Sequence, residues 1–192
     1  LLFLPLYKLV GMIDSFFEEL NSEIKKGISE RAHPFRFITM ATVGNETIAR
    51  LRTVVLREVS EDLLLTIYTD SRTQKIKHLA VNNEVSFLLY HPEKLLQLKV
   101  EGTAEIVTDN GRLSKTWKNI QPNSRKDYIT HTSPGSSLKN PDHVEYVEDE
   151  NYFTIIDIVP TKIEYLKLQR PNHIRAVFKK DDGDWNGEFL VP

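Results

Sequence analysis

Two arginines bracket a β-branched apolar run in Arg52-Thr53-Val54-Val55-Leu56-Arg57, and a second basic group follows at Ser71-Arg72 and Lys75. An arginine in a strand is costly unless an anion meets it, because a buried charge without a partner is strongly penalised. Alternation puts Arg52, Val54 and Leu56 on one face and Thr53, Val55 and Arg57 on the other. Only one arginine then reaches a given anion by its side chain, unless the run is an edge strand with both solvated. Ser71, Arg72 and Lys75 fall where a strand gives way to a helix, and free backbone N–H groups with the helix dipole favour an anion there. Together these residues point to a pocket for a phosphate-bearing ligand. Gln97, within the alternating run Leu95–Val100, needs a partner for its amide. Backbone, water or the heteroatom edge of a planar ligand would serve.

Composition narrows the field. A net charge of −2 gives no global basic field to recruit nucleic acid or an anionic membrane, so the cations from Arg52 to Lys75 read as a site. With 0 cysteines there is no disulfide, thiolate metal site or thiol nucleophile, which fits a reducing, cytoplasmic setting. The histidines at 33, 78, 91, 131, 143 and 173 show no metal-ligand spacing, and no metal is expected. There is no Gly-x-Ser-x-Gly elbow, Walker loop or Gly-x-Gly-x-x-Gly fingerprint. Asp181-Asp182-Gly183-Asp184 lacks the spacing of a calcium loop and reads as a hairpin turn.

The positioning elements follow from periodicity. Asp14 is expected to cap a helix running to about Lys26, with Gly27 beyond its end and Phe16, Phe17, Leu20 and Ile24 as its apolar stripe. Ahead of it, Leu1–Val10 is too short to span a bilayer and reads as a packed extension, with Met12 the expected start. Strands are expected over 35–43, 48–59, 63–69, 85–90 and 95–107, with a short helix over 73–81. Helices are expected over 113–120 and 124–130, and residues 131–150 form a long polar loop. Strands over 152–159, 162–168, 174–179 and 185–190 close the chain. Short strands with peripheral helices imply an antiparallel barrel or sandwich, in a single domain spanning 1–192 with residues 1–27 as an N-terminal extension and helix.

Taken in order, these pieces resemble the pyridoxamine 5'-phosphate oxidase-like family of FMN-binding split barrels. The carriers are the Arg52–Arg57 strand, Tyr68-Thr69-Asp70-Ser71-Arg72-Thr73-Gln74-Lys75, and Gln97 through Val100-Glu101-Gly102. Pro160–Tyr165, His173-Ile174-Arg175 and the Trp185 strand are similar to the family's closing hairpins. The resemblance implies a mainly β fold with peripheral helices, a six-stranded antiparallel split barrel, and a homodimer holding FMN at its interface. It implies that Arg52, Arg72 and Lys75 hold the phosphate. The backbone of Thr53, Val54 and Val55 would meet the ring's polar edge, Gln97 would bond the isoalloxazine, and Tyr68 and Thr69 would line the same site.

Two departures set the chain apart from the vitamin B6 oxidases. Those enzymes carry an arginine before a proline where this chain reads Gln121-Pro122, and Arg-x-His where it reads His173-Ile174-Arg175. Arg125, His173 and Arg175 are the candidate substrate-binding residues, with Arg125 placed to replace the missing charge. The implied function is an FMN-dependent oxidoreductase on a small substrate; a flavin- or other ligand-binding module without turnover is the alternative.

Overall fold

The computed structural model describes residues 6–192. Strict period-two burial shapes β1 (Phe37–Thr42), β4 (Glu84–His91) and most of β5 (Leu96–Ile106). With β2 (Arg50–Val59), β3 (Leu65–Asp70) and β6 (Phe153–Lys167) they form an antiparallel sheet ordered β3-β2-β1-β4-β5-β6. β3 pairs back with β6 and closes a six-stranded barrel, as the sequence implied, while β7 (Ile174–Asp181) and β8 (Asp184–Leu190) extend the sheet beyond β6. Ile38, Met40, Leu56, Ile67, Phe87, Leu98, Val100 and Ile158 belong to the core inside.

β6 replaces two expected strands with one of 15 residues. Its first half pairs with β3, its second with β7, and β5 follows both. Pro160 does not break it, because it sits where β5 shifts register between Glu101 and Gly102 and the ladder is already irregular.

α1 (Leu6–Ser29) is longer than the expected helix, so Asp14 lies within it and caps nothing. Gly27 is also inside it: a Cβ there would approach the Phe35 carbonyl oxygen to 2.8 Å, so this glycine serves close packing and not a helix stop. The expected packing of Leu1–Val10 concerns side chains outside those described. Leu20 and Ile24 are buried in the core, with Phe16 and Phe17 packed against it.

A buried carboxylate fastens α1 to the β4–β5 turn. Glu23 accepts from Lys26 (2.8 Å), Lys94 (2.6 Å) and His33 Nε2 (3.2 Å). His33 Nδ1 accepts the Phe35 N–H, which puts its proton on Nε2, facing Glu23. Burial pushes the Glu23 carboxyl up, but the hydrogen bonds from Lys26, Lys94 and His33 outweigh it and hold it at about 2.

Between β5 and β6 the chain leaves the barrel. Asp109 caps α3 (Asn110–Asn119), accepting from the Gly111 and Arg112 N–H groups at 2.7 and 3.2 Å. α4 (Pro122–Arg125) and a 3-10 turn at Lys126–Tyr128 stand where a second helix over 124–130 was expected. α3 packs on the outside of the barrel, where Arg112 chelates Asp157 and Trp117 meets Tyr128 and Phe153. The 131–150 loop is irregular apart from a 3-10 turn at Pro141–His143 and a bridge between Thr130 and Tyr146. No helix among the described residues is long and apolar enough to cross a membrane.

Candidate functional site

The barrel is split along one seam. β2 and β3 pair only where Leu56, Glu58 and Val59 meet Ile67, Thr66 and Leu65. Before Leu56, β2 pairs with β1 alone, and after Ile67, β3 pairs with β6 alone. The backbone of Thr53–Val55 therefore has no strand partner on its β3 side among the described residues.

Two cations stand at this seam. Arg52 is half-buried and donates through Nη1 to Thr42 Oγ1 (2.8 Å) and the Met40 carbonyl (3.3 Å). Its Nε and Nη2 groups have no partner among the described residues. Lys75, on α2 (Gln74–Leu79), donates to Thr69 Oγ1 at 2.7 Å and Thr73 Oγ1 at 3.3 Å. Neither cation pairs with a carboxylate among the described residues. Burial, then the Arg52 charge, pulls the Lys75 ammonium down to about 8, with Asp70 opposing. Burial lowers Arg52 likewise. Two neighbouring cations, each short of an anion, make a receptor for a group carrying about two negative charges.

Arg72 is placed differently. Its guanidinium grips Asp70 (3.1 and 2.7 Å), donates to the Thr130 and His131 carbonyls (2.8 and 3.1 Å), and lies 3.3 Å from the Tyr152 ring centroid. The structure thus commits it to a clamp on the loop after residue 129. The N–H groups of Ser71, Arg72 and Thr73 are taken by the Tyr152 carbonyl, the Asp70 carboxylate and the Asp70 carbonyl.

Tyr68 and Thr69 do not line one site, because neighbours on a strand face opposite ways. Thr69 turns toward Lys75, whereas Tyr68 turns outward to Arg57, 5.5 Å from its ring centroid, and donates to Glu58 at 2.6 Å. Burial first, then Glu58, raises the Tyr68 hydroxyl. Val54 faces the core, so only its backbone is available to a ligand.

Tyr68 and Arg57 belong to a cavity of about 510 Å³ between β2, β3 and α3, also lined by Arg112, Lys115, Gln121 and Tyr128. Arg112 is neutralised by Asp157. Glu58 lines the cavity as well, and Arg57 and Lys115, without ion-pair partners among the described residues, leave it one positive charge in excess.

Gln97 lies on the outer face of β5, opposite Tyr90, with no protein partner for its amide among the described residues. Thr53, Val55, Phe37 and Leu88 share that face. Arg125 does not replace a charge beside Gln121: it bends back onto the Ile120 and Lys118 carbonyls at 3.0 and 2.9 Å, over Trp117. Arg175 is held with Lys99 on Glu164 (2.9 and 3.1 Å), and His173 Nδ1 accepts the Gln169 N–H in an exposed turn. Thr42, Arg112 and Lys115 were not anticipated. One threonine in a strand and two cations on a helix carry no local signal; only the closed barrel brings them to the seam.

Residues 14–108 match the pyridoxamine 5'-phosphate oxidase FMN-binding domain, a span holding Arg52, Thr69, Lys75 and Gln97. The chain belongs to the pyridoxamine 5'-phosphate oxidase-like family. Relatives include pyridoxine/pyridoxamine 5'-phosphate oxidases of Myxococcus xanthus, 22% identical and covering 92% of this chain and 89% of theirs, and of Zymomonas mobilis, 24% identical and covering 92% and 96%. In fold, the pyridoxamine 5'-phosphate oxidase-like chain resembles an FMN-binding protein of Nostoc punctiforme, with a TM-score of 0.75, 18% identity, and coverage of 91% and 96%. It also resembles PhzG of Burkholderia lata, solved with tetrahydrophenazine-1-carboxylic acid, with a TM-score of 0.74, 17% identity, and coverage of 93% and 91%.

The cofactor of this pyridoxamine 5'-phosphate oxidase-like domain is FMN, and the seam fits it. Arg52 and Lys75 retain donors for a phosphate, and the open edge of Thr53–Val55 offers backbone N–H and C=O groups to a heterocycle. When bound, the flavin supplies hydride and electron transfer, so the chain needs neither nucleophile nor metal for that chemistry.

Proposed function

We propose that this protein is an FMN-dependent oxidoreductase acting on a small anionic substrate, as a cytoplasmic homodimer. One observation carries the reading: Arg52 and Lys75 stand at the seam without a carboxylate partner among the described residues, while a cavity on the other face of β2 and β3 is lined by Arg57 and Lys115. A phosphate held by the first pair leaves the second pair for a substrate bearing negative charge. PhzG, alike in fold, is seen with tetrahydrophenazine-1-carboxylic acid, a carboxylate, which agrees with that class.

Dimerisation is supported by the outer face of β1, β2 and β4. Phe37, Leu51, Leu88 and Tyr90 are 60%, 69%, 41% and 46% exposed there, large apolar side chains gathered on one face, as at protein–protein contacts. Light scattering that finds a stable monomer loaded with FMN overturns this part.

Fluorescence titration tests the cofactor: about one FMN should bind per chain, more tightly than riboflavin, and equal affinities refute the phosphate site. Reduction of the bound flavin by NADH or NADPH, and its reoxidation, then tests turnover. Tyr68 and Glu58 satisfy each other at the cavity wall, which favours a second reading: a flavin-binding module without turnover. A bound flavin that no nicotinamide reduces would select that reading.

A further inference from the structure

We infer that Thr42 and His78 are positioning residues that aim Arg52 at the flavin phosphate and so set the preference for FMN over riboflavin. The inference rests on the FMN reading above and concerns residues that the reading does not use.

Donor and acceptor chemistry fixes the arrangement. A guanidinium only donates, so Thr42 Oγ1 accepts from Arg52 at 2.8 Å. Gln74 Nε2 donates to His78 Nε2 at 3.2 Å, so the imidazole carries its proton on Nδ1 and donates it to the second lone pair of Thr42 Oγ1, 3.0 Å away. Both central groups are buried, Thr42 at 1% and His78 at 4% exposure, so water does not compete for these bonds.

The imidazole has no room to swing. Gly44, in the β1–β2 turn, closes over it so tightly that a Cβ there would lie 2.7 Å from His78 Cδ2. The relay starts on β2, crosses β1 and ends on α2, the helix that carries Lys75. It thereby ties the strand cation to the element bearing its partner and keeps the spacing between them. Arginine carries a large rotamer entropy, and holding one Nη in advance spares part of that loss when a phosphate arrives.

A purely structural role, fastening α2 to β1, would weaken FMN and riboflavin alike. Positioning of Arg52 touches only the phosphorylated flavin. Thr42→Val keeps the shape and removes the hydroxyl, whereas Thr42→Ser keeps the hydroxyl. Kd values for FMN and riboflavin should be measured by fluorescence on wild type and both variants. The valine variant should lose about tenfold in FMN affinity with riboflavin unchanged, and the serine variant should hold the wild-type ratio. If the valine variant does not fold, Thr42→Ala gives the same readout. A wild-type ratio in the valine or alanine variant, with or without a shared loss of both affinities, overturns the inference. A wild type without preference for FMN overturns the underlying reading instead.

Discussion

Lys94 and Lys75 are both half-buried lysines at opposite ends of the barrel, and they illustrate two fates of a charge removed from water. Lys94 ends on Glu23 within a cluster that holds the carboxylate at about 2. Lys75 ends on two threonine hydroxyls beside a second cation and is itself dragged to about 8. In the first region the chain supplies the anion, and the group is an anchor. In the second it withholds one, and the deficit marks a ligand. The same contrast separates Arg72, saturated by Asp70 and two carbonyls, from Arg52.

The largest effect should come from removing the anchor's anion. Glu23→Ala leaves Lys94 and His33 without it, and breaking such a buried pair costs about 3–5 kcal/mol. Urea denaturation should show that loss while the FMN-to-riboflavin affinity ratio stays at wild type; a collapsed ratio would erase the distinction between the regions. Next is Arg52→Ala, which should weaken FMN by about 2 kcal/mol, roughly thirtyfold, through the lost charge-assisted bonds. Arg57→Ala, on the opposite face, should weaken it less; an equal or greater loss in the titration reverses the orientation of β2.

The two regions should also titrate apart. Glu23 has a folded value below its usual 4.5, so its contribution is complete above that pH and is lost as pH falls toward about 2. Lys75 has a folded value below its usual 10.5, so between about 8 and 10.5 the unfolded chain binds more protons and the ligand-free protein gains stability as pH rises. FMN affinity should run the other way, falling above about pH 8 as the ammonium is lost. Lys75→Met should flatten both alkaline slopes, measured by urea midpoints and flavin titration; unchanged slopes would place the titration elsewhere. The smallest effect on FMN should be that of Arg72→Ala, within about twofold, since its donors already have protein partners. The same variant should be cut faster by protease in the 131–150 loop. A loss of FMN affinity as large as that of Arg52→Ala would return Arg72 to the phosphate.

Period-two patterning made the strands legible, and β1 to β5 lie within two residues of their expected limits. It could not show that Pro160 would be absorbed by a bulge, since that depends on register with β5. Asp14 and Gly27 misled because local helix signals yielded to tertiary packing against Phe35. Alternation put Arg52 and Arg57 on opposite faces, as they stand in the structure, Arg57 lying outward against the Tyr68 ring. At Arg72 and Arg125 the sequence shows a cation but neither the carbonyls that both guanidinium groups meet nor the Asp70 carboxylate that Arg72 grips.

The closing pair of the barrel has a kinetic consequence. Thr66 and Asp157 bond across 91 residues of sequence, and β3 finds its second neighbour only when the start of β6 arrives. Until then, β3 to β5 can exist only as an open sheet with two bare edges, including the unpaired stretch of β2 at the seam. Zipping late over so long an intervening chain makes closure slow, and the nascent protein spends that interval exposed to strand-to-strand association with other copies. Flavin supplied during refolding acts on a seam that is complete only after this step, so it should raise the yield of closed barrels by trapping them, without hastening their formation.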